Sequence, residues 1–466
     1  MPVYTCERCL KEFSQKSHYN NHLKRKNPCQ DNKGKIEEVV EKMVTEKIDN
    51  TLNKKLICQN NKENSNISKT MNNTYTIVET FVGCGGAHLG FKNNGFKSLL
   101  VNDIDKNMIN TLIKNNMIDK EKCLTCPIED ITKDILQTKI NEDVDVLFGG
   151  IVCKGFSLAG VRNPFDERNY LYIKQIELVD ILKPKVSVIE NVVGLKNMIL
   201  YRKNKTTINT FTEYNEISIE NKKLNGIKSS RRKNNESYSD INQKILKNKN
   251  TLKKLLDSID KYKYNVYDDI ESRYHKLGYK VYNKVLSADK YNGYTSRKRL
   301  IIVAVRSDIN KEYQFPCEEQ SYTLKDALDK IDYTGINNPK NDIDNKPMTH
   351  NSKTIERFKY IPEGKNIAQV IDDLPEHLKI SKFYSRGNTQ RLDRNKPTPT
   401  LVPGHSNFPI HPFEHRSITV REAATITGFP LNYKFCGSHT SRCMQVGNAV
   451  PVYLADAIAK SIKKIL

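Results

Sequence analysis

The chain has 466 residues, 76 of them Lys or Arg against 54 Asp or Glu, for a formal net charge of +22. That length allows two or three domains around a sizeable core, and no run approaches the ~18 consecutive apolar residues of a membrane-spanning helix. The charge calls for a polyanionic partner, and the polar N-terminus lacks the apolar run of a signal peptide. The eleven cysteines are therefore expected in an intracellular, reducing compartment, as metal ligands, nucleophiles or core filler and seldom as disulfides.

In chain order, the first signal is Cys6, Cys9, His22 and Cys29, with two, twelve and six residues between successive members. Soft thiolates and one imidazole at such spacing suit a tetrahedral structural zinc. Phe13 and Tyr19 fall where a small zinc finger keeps its apolar residues, so residues 1–32 read as a finger in which the last His is replaced by Cys. His18 is a rival ligand, one helical turn before His22, but it leaves Cys29 unexplained. Residues 33–58 carry apolar side chains at three- and four-residue intervals, an amphipathic helix that either docks on the following domain or self-associates. Residues 59–73, rich in Asn, Lys and Ser, read as a flexible linker.

From residue 74 strand-like and helical segments alternate, which implies an α/β domain with a parallel, doubly wound sheet. A strand over 75–81 runs into Val82-Gly83-Cys84-Gly85-Gly86, followed by a helix through Leu89 and Phe91. A second strand over 98–101 ends on Asn102-Asp103, and a third ends near Ile128-Glu129-Asp130-Ile131-Thr132. The fourth, Val144 to Phe148 followed by Gly149 and Gly150, delivers Cys153 onto a glycine-flanked turn. The fifth, 186–189, ends on Glu190-Asn191-Val192. An insert over 201–265 holds sixteen Lys/Arg against seven Asp/Glu, a net +9; a nucleic-acid contact and a solvated insert of no function are both open. A helix near 268–277 and strands near 280–286 and 300–306 follow, the last preceded by Arg297 and Arg299. The alternation is lost from 314 to about 392. It returns with a helix over 421–426, a loop over 445–451 and a closing helix.

The glycines at 83, 85 and 86 let a backbone turn approach a ligand and open a helix N-terminus toward it. Asp103, ending the next strand, is placed for ribose hydroxyls, and Asp130 for an exocyclic adenine amine. Taken together, these residues resemble the cytosine-5 DNA methyltransferase family. Phe81-Val82-Gly83-Cys84-Gly85-Gly86 is similar to its cofactor loop, Cys153-Lys154-Gly155-Phe156-Ser157 to its nucleophile loop and Glu190-Asn191-Val192 to its base-gripping motif. Arg297-Lys298-Arg299 is similar to its paired arginines. Arg421-Glu422-Ala423-Ala424 with Gly428-Phe429-Pro430, and Gly447-Asn448-Ala449-Val450-Pro451, resemble its last two motifs.

The resemblance implies a Rossmann-like S-adenosylmethionine-dependent methyltransferase sheet, split into 74–312 and 411–466 around a smaller, irregular target-recognition region at 313–410. It implies double-stranded DNA as substrate, with Phe81, Gly83, Gly85, Gly86, Asp103, Asp130, Ile131 and Asn448 binding the methyl donor. Cys153 is the expected nucleophile toward carbon 6 of cytosine, Glu190 the group that offers a proton to ring nitrogen 3 and accepts from the exocyclic amine, and Arg297 and Arg299 the hold on the base carbonyl or a phosphate. The target base must leave the stack to be reached. Where the family usually has Pro and Gln around the nucleophile this chain has Val152 and Lys154; Thr295 and Thr427 stand where Gln is common, and Glu79 where Asp is. Two other readings stay open on these residues: a DNA-binding protein that has lost activity, and the RNA-methylating branch, which usually has Thr at the position of Ser157.

Overall fold

The computed structural model describes residues 4–6, 12–13, 16–24, 74–151, 165–380, 387–402 and 408–466. They belong to two compact units, Met1–Asn73 and Thr74–Leu466. In the first, β1 (Tyr4–Thr5) pairs antiparallel with β2 (Glu12–Phe13), and α1 (Lys16–Leu23) follows. Cys6, just after β1, and His22, in the last turn of α1, are both buried. Cys9, Cys29, the expected helix over 33–58 and the linker lie outside the described residues.

The second unit is built on a seven-stranded sheet of order β10-β11-β7-β6-β3-β4-β5. The chain enters through β3 (Thr76–Thr80), α2 (Gly86–Asn93), β4 (Lys97–Asn102), α3 (Lys106–Lys114), β5 (Cys123–Leu124) and α4 (Lys133–Lys139). It returns to the centre with β6 (Val146–Gly150), α5 (Leu171–Leu182) and β7 (Val186–Asn191). These five strands pair in parallel. Crossing helices on both faces explain why β3, β6 and β7 are buried on both sides and read as near-continuous apolar runs. Val78, Leu147 and Ile189 face a core shared with Ile176 and Val179 of α5. Ile77, Val146, Phe148 and Val188 face Phe91 of α2 and Leu454 and Ile458 near the C-terminus.

After β7 the chain forms a small antiparallel ribbon, β8 (Ile199–Tyr201) with β9 (Lys263–Asn265). Between its strands rise two helices, α6 (Lys205–Lys233) and α7 (Ser239–Ser258). Helix α8 (Val266–Lys276) then leads to β10 (Tyr279–Ser287) and β11 (Lys298–Arg306), an antiparallel hairpin added to the edge at β7. The sheet is therefore mostly parallel rather than wholly so.

Residues from Tyr313 onward form the irregular region, with short helices such as α9 (Leu324–Leu328) and α10 (Ser352–Lys359) and a small core of Phe358, Ile361, Ile367, Ile371, Leu374, Leu378 and Ile410. The C-terminal part adds α11 (Val420–Thr427), α12 (His439–Asn448) and α13 (Val452–Lys463). Helix α13 returns against α2 so closely that a Cβ at Gly90 would stand 2.6 Å from that of Ala455.

Two elements differ from the sequence reading. The third strand is β5, two residues on the Cys123-Leu124 pair, and Ile128–Asp130 is a single 3-10 turn beyond it. Residues 445–451 are not one loop: α12 continues through Asn448, and only Ala449 to Pro451 link it to α13.

Candidate active site

The site lies at the carboxyl ends of the parallel strands, where a doubly wound sheet opens a crevice. β3 ends at Thr80, and Phe81 just beyond it takes a left-handed backbone (φ 51°), followed by Gly83 (φ 58°) and Gly85 (φ 92°). Such a run turns the chain sharply into α2, whose N-cap is Gly85 with no side-chain cap. The first N–H groups of α2 are therefore left for a ligand or water. Asp103, at the end of β4, accepts from Gly83 N at 2.9 Å and from Asp105 N at 2.9 Å, and so ties the loop to the next strand. Burial pushes its carboxyl up despite these N–H donors. Asp130 is exposed on its 3-10 turn, whereas Ile131 is fully buried and its N–H closes that turn on Ile128 O at 3.2 Å.

The cofactor-loop glycines press against the C-terminal part of the chain. A Cβ on Gly86 would lie 2.2 Å from Val450 O, so only glycine permits the contact between the start of α2 and the α12–α13 link. Arg297 fixes that link: its guanidinium donates to the carbonyls of Gly447 (2.6 Å) and Asn448 (3.1 Å). Arg297 thus holds the exposed Asn448 end of α12. Tyr433 braces the loop from behind, its hydroxyl donating to Cys84 O at 2.7 Å. Gln445 joins the same support, accepting from Thr111 at 2.7 Å and from the Cys84 thiol through its backbone carbonyl at 3.3 Å. Burial pushes the Cys84 thiol far up, so this cysteine is packing rather than a second nucleophile.

The other wall is the end of β7. Glu190 and Arg299 are 7 % and 8 % exposed and meet through Arg299 Nε and Glu190 Oε1 at 2.7 Å. They are brought together because β11 pairs antiparallel with β7, placing Leu300 opposite Asn191 and Ile301 opposite Glu190. A Cβ on Gly150, at the end of β6, would stand 3.7 Å from Glu190 Oε2 and 3.5 Å from Phe81 O, so the three strand ends converge there. Asn191 donates through Nδ2 to Ile151 O at 3.2 Å, securing the residue where β6 leaves the sheet. Cys153 itself lies outside the described residues, which flank it at Ile151 and Phe165.

Sequence reasoning missed Asn191, Tyr433 and Gln445 as parts of the site. Asn191 sits inside the Glu190-Asn191-Val192 motif but touches backbone, and Tyr433 and Gln445 act across hundreds of residues, with no local signal. It also missed the buried pair beneath α2, His88 Nδ1 at 2.5 Å from Glu79 Oε2. Among the described residues no three His, Cys, Asp or Glu side chains cluster as a metal site, and no helix is long and apolar enough to cross a membrane.

The description C-5 cytosine-specific DNA methylase matches residues 75–258 and 253–464. The chain belongs to the C-5 cytosine-specific DNA methylase family. As a family member it is a DNA (cytosine-5-)-methyltransferase, and the family implies S-adenosylmethionine as donor and DNA as substrate. It is 29 % identical over 415 residues to the type II methyltransferase M.Eco47II of Escherichia coli, covering 86 % of this chain and 81 % of that one. It is 29 % identical over 406 residues to M.Sau96I of Staphylococcus aureus, covering 85 % and 77 %. Among solved structures, the methylase fold is shared with a prophage-encoded DNA modification methyltransferase from E. coli, at a TM-score of 0.55 and 21 % identity, covering 84 % of this chain and 99 % of that one.

Proposed function

We propose that methyl transfer runs through a covalent Cys153 adduct, with Glu190 as proton donor and Arg299 as its partner. The buried Glu190–Arg299 pair, facing Gly150 at the exit of β6, is the observation that carries this reading. The thiolate of Cys153 adds to carbon 6 of an extruded cytosine, and the ring electrons shift toward nitrogen 3, which takes the proton that the Glu190 carboxylate has picked up from water as the base enters. Carbon 5 is then nucleophilic. S-adenosylmethionine supplies the electrophilic methyl group. After transfer a base removes the carbon 5 proton and the carbon–sulfur bond breaks, returning the thiolate; the proton on nitrogen 3 goes back to Glu190. Arg299 orients the Glu190 carboxyl, and Arg297 acts as a positioning residue through Gly447 and Asn448.

The donor's place is supported by the uncapped start of α2, the open space in front of Gly83 and the half-buried Asp103 carboxylate. Ile104, 70 % exposed beside Asp103, offers an apolar face to an adenine ring. Asp130 remains the group proposed for the adenine amine, with Ile131 anchoring its turn in the core and Asn448 closing the far side. The test is adduct formation on duplex DNA carrying 5-fluorocytosine. The parent protein should give a complex that survives denaturation, and Cys153→Ala should give neither complex nor methyl transfer; full transfer by the alanine variant would end the proposal.

A second site rests on a separate observation. We infer that Cys6, Cys9, His22 and Cys29 hold a structural zinc, because a hairpin of two-residue strands and an eight-residue helix have too little apolar surface to fold unaided. Cys6 and His22 are buried, as ligands of such a metal would be. One equivalent of zinc in the purified protein, lost on Cys6→Ser, is the expected result.

A further inference from the structure

We propose that the distal half of the α6–α7 hairpin is an arm that grips the phosphates of duplex DNA beside the target base. The inference rests on DNA being the substrate, and goes beyond it in assigning a second contact surface outside the catalytic cleft.

Position comes first. The hairpin rises from the β8–β9 ribbon, and β8 begins at Ile199, one 3-10 turn beyond Glu190 and Asn191. The arm therefore leaves the sheet at the end where the base must enter. Its root is anchored: Phe211 of α6 stacks on Phe165 with ring centroids 3.7 Å apart, and Tyr201 and Ile259 complete that cluster. Asn204 and Thr207 cap α6 reciprocally. From its cap at the root to its tip, α6 runs 29 residues, about 44 Å at ~1.5 Å per residue, the length of roughly 13 base pairs of duplex.

Charge is segregated along that length. From Lys205 to Glu220 there is one basic residue against three acidic ones, Glu213, Glu216 and Glu220. From residue 221 to 249 there are nine Lys or Arg against Glu236 and Asp240, and Asp240 is already held by Arg231 at 2.8 Å. Lys222, Lys223, Arg232, Lys233, Lys244 and Lys247 are all exposed, and among the described residues none of the six forms an ion pair with a carboxylate. Leu224, Ile241 and Ile245, with Tyr238, seal the seam between the helices, so the distal arm presents cations on a thin, stiff support. The root half of α7 adds Lys253 and Lys254 against Asp257, so the root is close to neutral while the tip is strongly basic, a division that charge spread for solubility would not produce. Like-charged tips also disfavour pairing with a second copy.

The test substitutes those six cations by Gln in the full chain; all are exposed, so the melting temperature should match the parent's. Methyl transfer to a long duplex at saturating DNA should keep its kcat, while KM for DNA rises at least tenfold. The slope of log K against log salt should shrink by up to about 5, near 0.9 for each phosphate no longer neutralised. With a duplex trimmed to about 8 base pairs either side of the target, parent and variant should converge. An unchanged KM and salt slope on the long duplex overturns the proposal, as does a changed sedimentation coefficient in the absence of DNA, which would make the arm an interface between copies. Weaker binding of RNA with duplex DNA affinity intact overturns it too. If the parent itself transfers no methyl group to DNA, it is the substrate reading that fails.

Discussion

At the scale of single residues, burial decides what each ionisable group can do. Glu190 and Arg299 compensate each other inside the protein, and removing one partner leaves the other's charge uncompensated at a cost of about 3–5 kcal/mol, whereas removing both costs much less. Arg299→Ala should therefore lower the denaturant midpoint sharply, and the added change Glu190→Gln should recover most of the loss; additive losses would sink the argument. His88 offers a pH signature. Its ring faces Glu79 through Nδ1 at 2.5 Å and Met117 O through Nε2 at 3.2 Å, so both nitrogens carry protons. Burial opposes the charge, but the Glu79 carboxylate outweighs it and the His88 pKa is raised. The pair's contribution is complete below the unfolded value of about 6.5 and is lost as pH climbs through the raised folded value. The stability of the parent should thus fall, as pH rises above about 6.5, by more than that of a Glu79→Gln, His88→Gln variant; parallel curves would refute it. Sequence exposed the residue types here but not their division of labour. Arg297 and Arg299 read as one motif, yet one holds a loop carbonyl and the other a carboxylate, because only the strand register tells them apart.

Among the elements, the decisive junction is the start of α2 against the α12–α13 link. The Cβ of Gly86→Ala would fall 2.2 Å from a carbonyl oxygen whose neighbours are pinned by Arg297 and by the packing of α13 on α2. Relief by a small side-chain shift is closed off, so the link must move away from the donor site. Affinity for S-adenosylmethionine, read by calorimetry, should drop at least tenfold, about 1.4 kcal/mol. An unchanged affinity would show that the link is free to yield. The same junction shows why sequence placed some elements better than others. β3, β6 and β7 announced themselves as apolar runs because both faces are covered. β5 has two residues and no pattern to detect, and Gly447 inside α12 reads as a breaker until its burial against the core is known. The α6–α7 insert was read only as charge: α6 is polar on nearly every side and carries no 3.6-residue apolar rhythm, whereas the stripe of Ile241, Ile245 and Leu252 in α7 was passed over among its lysines.

Over the whole molecule, the Thr74–Leu466 unit draws its core from both of its own ends. β3 lies inside the sheet between β6 and β4, and the last helix, α13, covers the same face through Leu454, Ala455 and Ile458 that Phe91 covers from α2. Residues from opposite ends of the Thr74–Leu466 unit therefore form one core, the arrangement that makes a domain unfold in a single step. A chain beginning at Thr74 should unfold in one cooperative transition with coincident fluorescence and circular-dichroism midpoints, and should methylate duplex DNA with the parent's kcat. A broad transition, or a kcat reduced tenfold or more, would mean that residues 1–73 complete the core or the site. An unaltered kcat with a higher KM for DNA would instead assign that unit to substrate capture, the role a small basic module can play without touching the chemistry.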